Sequence, residues 1–279
     1  MKGSRLLKLL LIVIMCLTVI FLFLPVVAIF FDLTPGDLWS QLTTPLAYQA
    51  LKLSFFTTLT SLVLIILFGT PLAYFLASKS FPGKQVLEVV IQLPIVIPAA
   101  VAGVGLLMVF GRFGFIGQLL AEYGINVGFT SVAVVLAQCF VAAPFYIQSA
   151  RTAFSEIDPM FISASRTLGM SKMKTSFRII IPLAMPGLIS GAALSWGRAL
   201  GEFGATIMFA GNLPGETQTL PLAIFTAMQS KPSVAIAISA LLIIVAFFLL
   251  LAVKLIGYWP KMKQSSHKRK ERRQVYANL

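Results

Sequence analysis

The chain has 279 residues, of which 58% are hydrophobic and only 11% charged, with a formal net charge of +13. A soluble domain of that length exposes far more charge, so an ordinary globular protein is excluded. An outer-membrane barrel is excluded too, because it would show ~10-residue alternating segments in place of continuous apolar runs. Six such runs lie at 9–31, 51–77, 87–110, 130–149, 184–210 and 234–258. Each reaches the ~20 residues that a helix needs to cross a ~30 Å hydrocarbon core.

Residues 1–8 carry Lys2, Arg5 and Lys8 and read as an amino-terminal flank. The first run exceeds the 7–15 residues of a signal-peptide core, and no small-x-small cleavage site follows, so a retained helix is expected. Lys79 and Lys84 follow the second run, and Arg151, Arg166, Lys172, Lys174 and Arg178 follow the fourth. The tail 259–279, with KRKERR at 268–273, continues the pattern. Counting Lys254, at the end of the sixth run, with the tail, 18 of the 22 Lys and Arg residues fall in these places; only Lys52, Arg112, Lys231 and Arg198 fall elsewhere, and Arg198 is inside the fifth run. This asymmetry predicts six spans over 9–258 with both termini cytoplasmic. The basic run is expected as a solvated flank at the lipid surface that fixes topology, and no nucleic-acid partner is predicted.

Several chemistries find no residues here. The chain has no G-x-x-x-x-G-K-[ST] loop for ATP, and its one histidine, His267, stands alone in the tail. Cys16 and Cys139 both fall within spans, so neither a disulfide nor a metal cluster is expected. No inverted repeat of the secondary-transporter kind is visible. No enzyme and no cofactor bound by this chain are predicted; transport is the expected role.

The longest polar interruption, residues 150–180, reads as a helix, a turn and another helix. Asp158 followed by Pro159 starts the first helix, Gly169 ends it, and Ser171 caps the second. Phe161, Ala164 and Leu168 share one face, while Ser163, Ser165, Arg166 and Thr167 present small or polar surface. The element either rests on the membrane or docks on a partner. In the fifth run, Arg198 and Glu202 stand at i, i+4 on one helical face. Arg198 lies ~24 Å of helix beyond Pro182 and so past the midplane. Each charge at that depth costs ~2.5–3.5 kcal/mol. The pair either locks helix packing or faces a translocation path, with Arg198 meeting an anion and Glu202 orienting it. Gly187, Gly191, Gly197, Gly201 and Gly204 line the same run and permit close helix contact. Pro182 and Pro186 are expected to kink or reposition its start.

The pattern Ser163-Ala164-Ser165, three residues, Gly169, nine residues, then Ile179-Ile180-Ile181-Pro182 resembles the cytoplasmic signature loop of ABC importer permeases. That family reads E-A-A-x-x-x-G, nine residues, I-x-L-P. Ser163 replaces its usual Glu and Ser165 its frequent Ala, so a polar contact from that carboxylate is not carried over. The run 198–206, RALGEFGAT, is similar to the oxyanion branch of these permeases; 207–224 and 81–107 look most like molybdate and tungstate permeases. The resemblance implies an all-α membrane protein of the type I ABC importer permease fold in the cell membrane. It implies ATPase coupling through Ser163, Ala164, Ser165, Arg166, Thr167, Leu168, Gly169, Met170 and Pro182. It implies a path or gate at Arg198, Gly201, Glu202, Gly204 and Thr206. The partners it implies are a second copy of the chain, two ABC ATPase subunits that use ATP and magnesium, and an external oxyanion-binding protein. The loop with Gly211, Asn212, Pro214, Gly215 and Glu216 is a candidate contact for that last partner. Moving a dianion inward against 100 mV costs ~4.6 kcal/mol, which would hold it about a thousandfold lower inside at equilibrium. An energy source is therefore expected. Sulfate is the alternative substrate, and an ATPase-independent carrier or channel the alternative class.

Overall fold

Helix α7 (Ser131–Ser155) runs through the centre of the bundle, with half of its most apolar window buried. It packs along α3 (Pro45–Ser78) and α10 (Ile181–Leu200), and this trio forms the core. The computed structural model describes the backbone of residues 2–31 and 33–277 and the side chains of 7–31 and 33–255. The side chains of the basic tail 259–279 and of Lys2 and Arg5 lie outside the described residues. Among the described residues the secondary structure is helical throughout.

The buried stripe of α3 is Ala47, Ala50, Ser54, Thr57, Thr58, Ser61, Ile65, Gly69, Ala73 and Leu76, spaced three and four apart. Small residues at this period let helix backbones approach closely, which is how helices pack when lipid is as apolar as leucine. Hydroxyls on the stripe then bond across helices. Ser61 Oγ donates to Gln138 Oε1 at 2.9 Å, Gln138 Nε2 to Thr57 Oγ1 at 3.2 Å, and Trp196 Nε1 to Thr58 Oγ1 at 3.1 Å. These bonds satisfy polar groups that the hydrocarbon region could not.

Helix α1 (Lys2–Ala28) holds the first predicted span, and every side chain from Leu7 to Ala28 is exposed. The short α2 (Pro35–Leu42) follows, its first turn capped by Thr34, whose Oγ1 accepts from Asp37 N. Five helices are long and apolar enough to cross a membrane as single pieces: Leu7–Ala28, Pro45–Ser78, Ser131–Ser155, Lys172–Leu200 and Pro232–Leu255. The sixth predicted span, 87–110, is not one helix. It divides into α4 (Lys84–Val96) and α5 (Ala99–Phe110), bent by 113°. Ile97 precedes Pro98 and takes the extended ψ of 132° that a following proline imposes, so the helix cannot continue. A further short helix, α6 (Phe115–Glu122), leads to the start of α7.

The predicted helix pair of the 150–180 loop is present as α8 (Pro159–Thr167) and α9 (Lys172–Thr175). A π-turn over Ser176–Ile180 joins α9 to α10. The expected kink at Pro182 is absorbed there. Pro182 has no N–H to close an α-turn, and the preceding N–H of Ile181 bonds instead to Ser176 O, five residues back. The fifth predicted span, 184–210, is likewise not continuous. It stops at Leu200 and resumes as α11 (Gly204–Phe209). Helix α12 (Leu220–Ser230) packs between α3 and α13 (Pro232–Ala277), burying Leu220, Ala223 and Ala227 against Ala47, Ala50 and Ile238.

Candidate functional site: a docking knob and a broken fifth span

The two sites predicted from the sequence lie on α8 and at the α10–α11 break. At the first, Asp158 Oδ1 accepts from Met160 N at 2.8 Å, capping α8 as its position before Pro159 implies. Gly169 ends the helix with φ +78°, a conformation other residues adopt at a cost, and Met170 N–H bonds back to Ser165 O. Ser171 Oγ then accepts from Lys174 N to start α9. The turn is held shut by a buried hydroxyl pair, Ser165 Oγ and Thr175 Oγ1, 3.1 Å apart.

That clasp alters one expectation. By sequence Ser165 belongs to the small polar surface of α8, yet it is 2% exposed and faces α9. The hydroxyls of Ser163 and Thr167 are also engaged locally, donating to the carbonyls of Pro159 and Ser163. Four apolar residues project outward, Met160, Phe161, Ala164 and Leu168, the last 82% exposed, with Ser163 and Thr167 exposed among them. Arg166 is exposed beside them and Met170 is half-buried. Pro182 stands apart from this knob, in the first turn of α10. The knob sits at the same end as Lys79, which shares a cavity with Arg166. Glu88 of α4 meets Arg151 of α7 at 3.3 Å and ties the broken third span to the helix that leads into the loop. Nothing in the spacing of these two residues signals that pair.

At the second site Arg198 Nη2 lies 2.8 Å from Glu202 Oε2. The contact is an ion pair without an aligned hydrogen bond. Glu202 is 1% exposed, whereas about a third of the Arg198 side chain is open at 32%. The other carboxylate oxygen, Oε1, accepts from Ala205 N at 2.7 Å. Glu202 thus does two things at once: it neutralises Arg198 and it satisfies a free N–H in the first turn of α11. The sequence pattern indicates the first role only, because the second depends on the helix ending at Leu200. Gly204 lets α11 approach α5; a Cβ there would sit 2.8 Å from the Ala99 Cβ. Gly201 borders open space: a Cβ there would meet only Gly197 O, at 3.7 Å. Thr206 is fully buried, and its hydroxyl has no partner among the described residues.

The loop after α11 is anchored. Leu213 N donates to Thr217 Oγ1 at 2.9 Å, Gln218 Nε2 donates to Asn212 Oδ1 at 2.9 Å, and Ser131 Oγ donates to Glu216 O at 2.7 Å. Leu220 N donates to Ser54 Oγ at 2.7 Å, which fixes the start of α12 against α3. Helix α12 is a further element that the reading of the sequence missed.

Residues 69–256 match the family described as binding-protein-dependent transport system inner membrane component. The chain belongs to this family. It is 40% identical over 235 residues to the molybdenum transport system permease protein ModB of Mycobacterium tuberculosis, covering 84% of this chain and 89% of the relative. It is 41% identical over 210 residues to the probable transport system permease protein NifC of Clostridium pasteurianum, covering 74% and 73%. Identity to the sulfate transport system permease protein CysT of Salmonella typhimurium is 33% over 233 residues, covering 82% and 84%. Among solved structures, a bacterial ABC transporter that imports alginate superposes with a TM-score of 0.70 at 15% identity, covering 94% of this chain and 96% of that one. The methionine transporter MetNI superposes at 0.55 and 18% identity, covering 81% and 99%. This permease is therefore a multi-pass membrane subunit of an ABC importer and not an enzyme.

Proposed function

We propose that this permease carries molybdate, or the closely similar tungstate, inward as one half of a homodimeric pathway. Two separate ABC ATPase subunits dock on α8, and an external oxyanion-binding protein docks at the opposite end. The basic end faces the cytoplasm in this reading, because Lys79, Lys84, Arg151, Arg166, Lys172 and Lys174 cluster there. ATP and magnesium belong to the ATPase subunits. The observation that carries the proposal is the outward-pointing apolar surface of α8, closed by the positive-φ turn at Gly169 and held rigid by the Ser165–Thr175 clasp. A helix so braced transmits a push from a partner without deforming. The several relatives at 40% identity named as molybdenum permeases favour molybdate over sulfate.

In the proposed cycle, Arg198 is the cation met by the dianion at the α10–α11 break. Glu202 orients it and holds the break in place, and Gly201, Gly204 and Thr206 shape the surrounding backbone. One cation makes a weak site, which suits a path whose affinity resides in the external protein. The deciding experiment reconstitutes the permease with its ATPase and binding protein in liposomes. Molybdate should stimulate ATP hydrolysis and be taken up, with sulfate a poor competitor. Uptake by the permease alone, without ATPase, would instead place it among carriers or channels. Sulfate uptake that molybdate does not inhibit would select the sulfate reading.

A further inference from the structure

Beside the docking knob, a cavity of about 410 Å³ opens between the end of α3, the end of α8 and the start of α9. Three cations from these three elements line it: Lys79, Arg166 and Lys172. None of the three pairs with a carboxylate among the described residues, and no carboxylate lines the cavity. Hydroxyl groups complete the wall, contributed by Tyr74, Ser78 and Ser176. Like charges gathered around a concave space repel one another, and a bound anion relieves that repulsion. Hydroxyl donors interleaved with Lys and Arg match the oxygens of a phosphate group.

The position of the cavity selects the source of the anion. Tyr74 and Ser78 occupy the last turns of a helix long and apolar enough to span, so the cavity sits where that span emerges. On the same face of α3 as Ser78 lie Tyr74, Pro71 and Leu67, four, seven and eleven residues back. Leu67 and Pro71 are exposed and form an apolar track that leads from the hydrocarbon region to the cations. Free phosphate has no use for such a track, whereas an acyl chain does. Basic pockets between spans on the cytoplasmic side are a recurrent way to hold a lipid headgroup. We infer that Lys79, Arg166 and Lys172 bind the headgroup phosphate of an anionic phospholipid at the foot of α3, next to the docking helix. The inference does not depend on which anion is transported.

The test is native mass spectrometry of the full-length chain titrated with phosphatidylglycerol and, separately, with phosphatidylcholine. The wild type should retain phosphatidylglycerol in preference. The Lys79→Gln, Arg166→Gln, Lys172→Gln triple variant should lose that retention by on the order of a hundredfold, with each single variant losing about fivefold. The charge-matched triple at the other end, Lys52→Gln, Arg112→Gln, Lys231→Gln, should keep it. Should the triple variant fail to fold, the single variants carry the same test. Equal retention by wild type and variants, or equal loss in the control triple, would overturn the assignment. Displacement of the lipid by millimolar inorganic phosphate would assign the pocket to a free oxyanion and overturn the lipid.

Discussion

Glu202 carries two loads, and two substitutions separate them. In Glu202→Gln the side-chain carbonyl still accepts from Ala205 N, now at 2.7 Å from the carboxylate, while the charge facing Arg198 is lost. Breaking a fully buried ion pair costs about 3–5 kcal/mol. Arg198 is about one-third exposed, so it keeps part of its solvation and the cost falls to about 1–2 kcal/mol. In Glu202→Ala the acceptor goes as well, and a buried N–H without a partner adds about 1–3 kcal/mol. The alanine variant should therefore be less stable than the glutamine variant by about 2 kcal/mol, close to a thirtyfold shift in the unfolding equilibrium. Unfolding of the purified permease by sodium dodecyl sulfate in mixed micelles, followed by far-ultraviolet circular dichroism, measures the gap. Uptake at limiting molybdate supplies the second readout: the glutamine variant and Arg198→Ala should both transport less although they fold. Equal stability of the two Glu202 variants would refute the claim that the carboxylate holds the break between α10 and α11. Wild-type uptake by Arg198→Ala would leave the pair with packing alone.

Gly169→Asp should cost only about 1 kcal/mol, since a side chain there meets nothing within 4 Å and only the positive φ is strained. ATP hydrolysis in the assembled mutant should nevertheless stop responding to substrate, and a normal response would count against α8 as the coupling element. Ser165→Ala leaves the buried Thr175 hydroxyl without its clasp; about 1–2 kcal/mol of local stability should go, seen as faster proteolysis within 150–180. Gly187→Leu drives a side chain into Ala153 across the α7–α10 contact and should destabilise by about 1–3 kcal/mol in thermal melting. Gly201→Ala, at a position with open space and φ of −87°, should change melting by no more than about 0.5 kcal/mol.

The elements that follow from the sequence are those whose cause is local. Asp158-Pro159 and Gly169 bound α8 because a cap, a proline and a left-handed glycine act on their own neighbours. The long spans follow because crossing a bilayer demands length. Elements that averaging hydropathy conceals are those a proline or a tertiary contact decides. Pro94 and Pro98 stand in the third run, and the bend of 113° follows from Ile97 and Pro98, yet the apolar count alone reads straight through them. Helix α12 has 11 residues, too few to register as a span, and its start is set by Ser54, which is 166 positions away. Glu202 is legible as half of an i, i+4 pair. Its cap on Ala205 becomes visible only once the helix is known to stop.

The interior explains why so much of the packing is illegible to a count of hydrophobic residues. Along α3 the buried stripe is mostly alanine, serine, threonine and glycine, while Phe55, Phe56, Leu67, Phe68 and Phe75 are exposed. The large apolar side chains meet lipid and the small and hydroxylated ones meet neighbouring helices, because lipid offers no hydrophobic gain for hiding a phenylalanine. A reading that places large hydrophobics in the core inverts this helix. The phase of its small residues, at 47, 50, 54, 57, 58, 61, 69 and 73, is the signal that assigns the faces correctly. The same phase puts Ser61, Thr57 and Thr58 opposite Gln138 and Trp196, so the polar residues that hydropathy counts as interruptions are the ones that join α3 to α7 and α10.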